Sequence, residues 1–121
     1  MILVVEDEAI SRRALVNLLS GSGYEARAVR SAEEAMECVG HGDSPDVALV
    51  DQNLPGMNGI DLIRCLEHDN PDMFPVLITA EARELIRNLD GEHPVTYMRK
   101  PINFHSLLRL IDHAKDALAT H

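Results

Sequence analysis

Val47-Ala48-Leu49-Val50-Asp51-Gln52-Asn53-Leu54-Pro55-Gly56-Met57-Asn58-Gly59 joins a four-residue apolar run to a carboxylate and then to a loop rich in Pro, Gly and Asn. A carboxylate at the carboxyl end of a buried strand, beside such a loop, stands where open α/β sheets carry out their chemistry. The arrangement recurs at the start of the chain. Ile2-Leu3-Val4-Val5 is a second short apolar run, and it ends in Glu6, Asp7 and Glu8. If the two runs are neighbouring strands, Glu6 or Asp7 converges with Asp51. Like charges gathered in one place are unfavourable unless something positive shares the site. A hard, oxygen-seeking cation such as Mg²⁺ answers that need.

Working outward from these two runs, strand-like segments alternate with helical patterns. Ile10, Ala14, Leu15, Leu18 and Leu19 recur at helical spacing, and Gly21-Ser22-Gly23 ends that helix. Tyr24 to Val29 reads as a second strand. Ser31 and Glu34 have the spacing of a capping box and open a helix carrying Ala35, Met36 and Val39, which Gly40 to Pro45 break. Ile60, Ile63 and Leu66 mark a third helix, with Asn70-Pro71 beyond its end. Val76-Leu77-Ile78 forms a fourth strand ending in Thr79, and Ala82, Leu85, Ile86 and Leu89 suggest a short fourth helix broken by Gly91 to Pro94. Thr96 to Arg99 gives a fifth strand before Lys100-Pro101, and Phe104, Leu107, Leu108, Ile111 and Leu118 line a final helix. Five βα units in succession predict a parallel sheet with helices on both faces.

With 121 residues, the chain reads as one domain over 1–121. Eleven Lys plus Arg against 20 Asp plus Glu give a net charge of −9, which argues against direct binding to nucleic acid or an anionic membrane. No stretch has the length of a membrane span, and the apolar start lacks the basic flank of a signal peptide, so a cytoplasmic location is expected. Cys38 and Cys65 lack the spacing of a zinc or redox motif and read as small apolar residues, and the six His are scattered and read as surface positions.

Glu6/Asp7, Asp51, Thr79 and Lys100 each stand at a predicted strand end, and in a parallel sheet those ends share one edge. A carboxylate cluster, a hydroxyl and an ammonium around one small volume suit phosphoryl transfer to a carboxylate, with Asp51 as nucleophile.

These residues, taken together, resemble the receiver domains of two-component response regulators. The likeness rests on Glu6-Asp7, the run V-D-Q-N-L-P-G-M-N-G around Asp51, Thr79-Ala80 and Lys100-Pro101, in the family's order over the whole chain. The resemblance implies a flavodoxin-like (βα)5 doubly wound sheet of order 2-1-3-4-5. It implies a phosphoacceptor that promotes its own phosphorylation and dephosphorylation, not an enzyme acting on other substrates. Asp51 would take a phosphoryl group from the phosphohistidine of a sensor histidine kinase or a histidine phosphotransfer protein. Asp7, Asp51 and the main-chain carbonyl of Asn53 would ligate Mg²⁺, with Glu6 acting through water. The Lys100-Pro101 bond would be cis. Thr79 and Lys100 would hold the phosphoryl group, Tyr97 would be the aromatic switch, and a downstream effector protein or output domain would read the changed face. Asn53 and Glu81 would tune dephosphorylation toward a short lifetime. Two departures are visible: Glu6 stands where Asp is commoner, and the segment Glu81 to Pro94 lacks the usual small-residue and glycine run.

Other classes fit less well. A phosphatase with an Asp nucleophile places a second Asp two residues on, where this chain has Asn53. An FMN-binding flavodoxin has a Ser/Thr/Gly phosphate loop after its first strand, where this chain is acidic. A degenerate receiver acting as a phosphorylation-independent binding module is the alternative that retains the fold. Arg12 and Arg13, following the acidic loop, read either as partner contacts or as solvated helix charges.

Overall fold

In the computed structural model the described residues are 1–42, 44–80 and 95–119. In chain order they form β1 (Ile2–Val5), α1 (Ala9–Gly21), β2 (Ala26–Val29), α2 (Ala32–Gly40), β3 (Val47–Asp51), α3 (Gly59–Asp69), β4 (Phe74–Thr79), β5 (Thr96–Arg99) and α4 (Phe104–Ala119). The helix expected over Ala82 to Leu89, and Glu81 with it, lies outside the described residues. The five strands pair in the order β2-β1-β3-β4-β5, and every pairing is parallel. This is the flavodoxin-like doubly wound arrangement expected from the sequence.

Strand alternation divides the core in two. Leu3, Val5, Ala48, Val50 and Leu77 face α2 and α3 through Ala32, Ala35, Leu62, Ile63 and Leu66. Ile2, Val4, Val47, Leu49, Val76 and Ile78 face α1 and α4 through Leu15, Leu19, Leu107 and Ile111. Central strands covered on both faces need apolar residues at every position, which is why β1 and most of β3 read as unbroken apolar runs. Leu107 is fully buried where α4 closes one face. Leu107→Ala is expected to cost about 3 kcal/mol, read as a lower urea midpoint at unchanged slope.

Several boundaries differ from the sequence reading, each for a local reason. The second strand begins at Ala26 rather than Tyr24 because the Tyr24 N–H donates to the Leu19 carbonyl and closes the end of α1. The fourth strand begins two residues early, at Phe74, whose N–H donates to Asp46 O. Pro75 is tolerated there because the β5 register begins only at Val76, so its missing N–H costs no ladder bond. Ser31 caps α2 by accepting the Glu34 N–H at 3.2 Å, and the Glu34 carboxylate accepts from the Arg30 N–H at 3.2 Å, one residue before the cap.

The helical patterns were found, but not every apolar residue in them is buried. Ile10 is 79% exposed, and Met36 and Phe104 are both 43% exposed. At 100° per residue Ile10 lies about 140° from the buried Leu15 around α1. His41, His68, His105 and His113 are exposed, as the sequence suggests. Cys38 and Cys65 form no disulfide, and both are half-buried.

Candidate functional site

The chain leaves β1 for β2 on one side and then crosses back to β3 on the other. The carboxyl ends of β1 and β3 therefore flank the point where the winding reverses, the usual crevice of such sheets. Val5 pairs with Val50, so the residues that follow, Glu6 and Asp51, emerge side by side. Glu6, Asp7 and Asp51 each bring a carboxylate oxygen within 4.8 Å of the others. Glu6 and Asp51 are each only 2% exposed, while Asp7 is open to solvent.

Asp51 is held from two further directions. Its Oδ2 accepts from Lys100 Nζ at 2.9 Å, and its Oδ1 accepts from the Asn53 N–H at 3.0 Å. Lys100 arrives from the end of β5, where its own N–H donates to the Thr79 carbonyl at 2.9 Å. The Lys100-Pro101 peptide is cis. Thr79 is buried at the end of β4, on the same edge. Tyr97, on β5, is 42% exposed. The expected residues Glu6, Asp7, Asp51, Asn53, Thr79 and Lys100 thus share one end of the sheet, and Tyr97 stands outside the buried cluster.

Electrostatics separates the two buried acids. Burial, a hydrogen bond with Asp51 and the negative charge of Asp51 push Glu6 up to about 8, against which Lys100 and the Glu8 N–H act only partly. Burial also pushes Asp51 upward, but the Glu6 hydrogen bond, the Lys100 ammonium and the Asn53 N–H outweigh it and hold its carboxyl below the usual range. Lys100 loses some basicity to burial and gains more from Asp51, so it sits above its ordinary value. The opposite shifts make Glu6 the side of the pair that favours a shared proton and Asp51 its acceptor.

Glu6 Oε1 is a buried oxygen with no hydrogen-bond donor among the described residues. An orphaned buried carboxylate oxygen, beside two further carboxylates and with only oxygen donors present, fits a hard divalent cation. The acidic cluster could hold such a metal.

Three residues shape the site in ways the sequence motifs did not reveal. Arg12 donates from Nη1 to the carbonyls of Glu6 and Asp7. Gln52 accepts the Gly59 N–H on its carbonyl and the Ile60 N–H on its side chain, fastening the start of α3 to the end of β3. Gly59 is buried against the backbone of Asp51 and Gln52. Asn58 caps α3, its side chain accepting the Asp61 N–H at 2.9 Å.

The family model for the response regulator receiver domain matches residues 2–112. The chain belongs to that family. The receiver is 32% identical over 114 residues to a cyclic di-GMP phosphodiesterase of Thermotoga maritima, covering 93% of this chain and 30% of that protein. It is 38% identical over 108 residues to the two-component response regulator PhoP of Pseudomonas aeruginosa, covering 88% of this chain and 47% of that protein. The chain thus spans less than half the length of these relatives. Among solved structures, a CheY-like response regulator receiver domain protein from Methanospirillum hungatei superposes with a TM-score of 0.85 at 25% identity, covering 98% of this chain and 95% of that one. No helix among the described residues is long and apolar enough to cross a membrane.

Proposed function

We propose that this receiver is the phosphoacceptor of a two-component relay and that Asp51 takes the phosphoryl group. The observation that carries the reading is the buried Asp51 carboxyl group, placed between the two acids that follow β1 and the Lys100 ammonium that follows β5. The donor is a phosphohistidine on a sensor histidine kinase or histidine phosphotransfer protein. An Asp51 oxygen attacks phosphorus, the O–P bond forms and the N–P bond breaks. The bonding pair stays on the imidazole nitrogen, leaving an aspartyl phosphate and a histidine. Its depressed pKa keeps Asp51 unprotonated and nucleophilic for this step. Lys100, already 2.9 Å from Oδ2, neutralises charge on the incoming group, and Thr79 supplies a hydroxyl donor from the end of β4.

Asp7, Asp51 and the main-chain carbonyl of Asn53 would hold Mg²⁺, with Glu6 acting through water. Bound there, the ion screens the charge of the phosphoryl oxygens. The phosphoryl group then draws on Thr79, and the half-exposed Tyr97 turns inward, changing the face that a downstream effector protein or output domain reads. Asn53 and Glu81 would tune the lifetime of the aspartyl phosphate toward a short one. The domain spans 1–121 and works in the cytoplasm. It takes no nucleic acid directly and associates with no membrane.

Incubation with Mg²⁺ and acetyl phosphate, followed by intact mass, tests the acceptor role. The expected result is a gain of about one phosphoryl mass that requires Mg²⁺ and is absent from Asp51→Asn. No gain in the unaltered chain would sink the acceptor role and leave a phosphorylation-independent binding module.

A further inference from the structure

We infer that Arg12 is a positioning residue, which aims the acids of the β1–α1 turn at the metal by clamping their main-chain carbonyls. The inference deepens the reading above and rests on it for the metal. Nη1 of Arg12 donates to Glu6 O at 3.0 Å and to Asp7 O at 3.2 Å. These carbonyls belong to consecutive peptide groups just past the end of the sheet ladder. The last register pair of β1 with β2 is Val5 with Val29, and the Glu6 N–H still donates to Val29 O at 3.1 Å. Beyond that bond the chain turns away from β2, and the sheet no longer orients its peptide planes.

With the 5–6 peptide held by the Glu6 N–H bond to Val29 O, fixing the next two peptide planes sets the Cα–Cβ directions of Glu6 and Asp7, from which their carboxylates reach toward Asp51. The clamp is anchored in the fold. Arg12 lies in the first turns of α1, its own N–H donates to Glu8 O at 2.9 Å, and the same helix is held to the sheet by the buried Leu15 and Leu19. Arg12 thus ties the acidic turn to the body of α1. Arg13 carries the same charge one residue along but is exposed, which makes it the control for charge alone.

Calorimetric titration of Mg²⁺ into the metal-free full chain tests this, with metal-free melting temperatures read on the same samples. Arg12→Met is expected to weaken binding about tenfold. Arg12→Lys, which keeps a cationic donor on the same stem, is expected to stay within about threefold of the unaltered chain, and Arg13→Met within about twofold. Recovery by lysine at an unchanged melting temperature is a result that loss of packing would not produce. Arg12→Gln takes the place of Arg12→Met if the latter does not fold, with the same expected loss. The inference is overturned if the Arg12→Met or Arg12→Gln variant binds like Arg13→Met, or if lysine recovers nothing. Failure of the metal reading looks different: the unaltered chain would then take up no Mg²⁺ in a manner that Asp7→Asn abolishes, and the positioning role would fall with it.

Discussion

Gly59→Ala is expected to destabilise the receiver by about 3 kcal/mol or more and to disturb phosphoryl uptake at Asp51. Helix propensity alone gives the opposite sign, since Ala in place of Gly within a helix gains up to about 1 kcal/mol. The contact geometry decides between them. A Cβ on Gly59 would run into the Asp51 carbonyl oxygen and lie 2.9 Å from Gln52 Cα and 3.0 Å from the Asp51 carbonyl carbon. All three are backbone atoms at the end of the strand that carries the proposed acceptor, and none can swing aside as a side chain would. Relief would require α3 to lift off β3, breaking the Gly59 N–H bond to Gln52 O at 3.0 Å. Gly21→Ala is the contrasting substitution. It sits at the end of α1 with nothing within 4 Å of its added Cβ, so a neutral or slightly stabilising effect is expected. Urea unfolding of both variants, beside the mass assay for Asp51, checks the pair. Equal stabilities for the two variants would show that α3 can shift without cost.

The contrast between Gly59 and Asp51 shows what could be read without coordinates. Asp51, Glu6, Asp7 and Lys100 were legible because each is a chemical group following a strand-like run, and a parallel sheet gathers such ends at one edge. The strand order followed from the family likeness, whereas the alternation of elements followed from burial itself: strands covered on both faces cannot hide their apolar character. Gly59 and Arg12 escaped because they act on backbone. A forbidden Cβ and a doubly occupied guanidinium leave no periodicity and no paired side chain to find. Ile10 and Phe104 were placed in the right helices, but membership of an apolar pattern does not guarantee burial in the first turn of a helix, and both are exposed. Tyr24 has the composition of a strand residue, yet its N–H is claimed by the closing turn of α1. The fourth strand begins two residues before Val76, and only the late start of β5 beside it lets Pro75 stand in the strand.

Raising the pH of the metal-free receiver from about 5 to about 8.5 is expected to lower its unfolding free energy by on the order of a few kcal/mol, and Glu6→Gln is expected to remove most of that fall. The sign follows from the shift. Glu6 is raised from 4.5 to about 8 in the folded chain, so between those values the folded state keeps a proton that the unfolded chain releases. Stability from that proton is complete below the ordinary glutamate value and is lost as pH climbs through about 8. The other shifted carboxylates act outside this window. Asp51 and Asp46 are lowered, so their contributions disappear only as pH falls below the ordinary aspartate range. Lys100 is raised above 10.5, so its contribution is lost only at higher pH. Glutamine keeps a neutral donor beside Asp51 and has nothing to titrate, so the variant's profile should be nearly flat over the same range. Mg²⁺ should act in the opposite direction to the proton. A cation drawn to the ionised cluster competes with the proton on Glu6, so affinity should rise as pH increases toward about 8, with up to about one proton released per ion at neutral pH. Calorimetry in two buffers of different ionisation enthalpy measures that proton directly. An unaltered chain that releases none, and whose stability profile overlays that of Glu6→Gln, would show that Glu6 is already ionised in the metal-free fold.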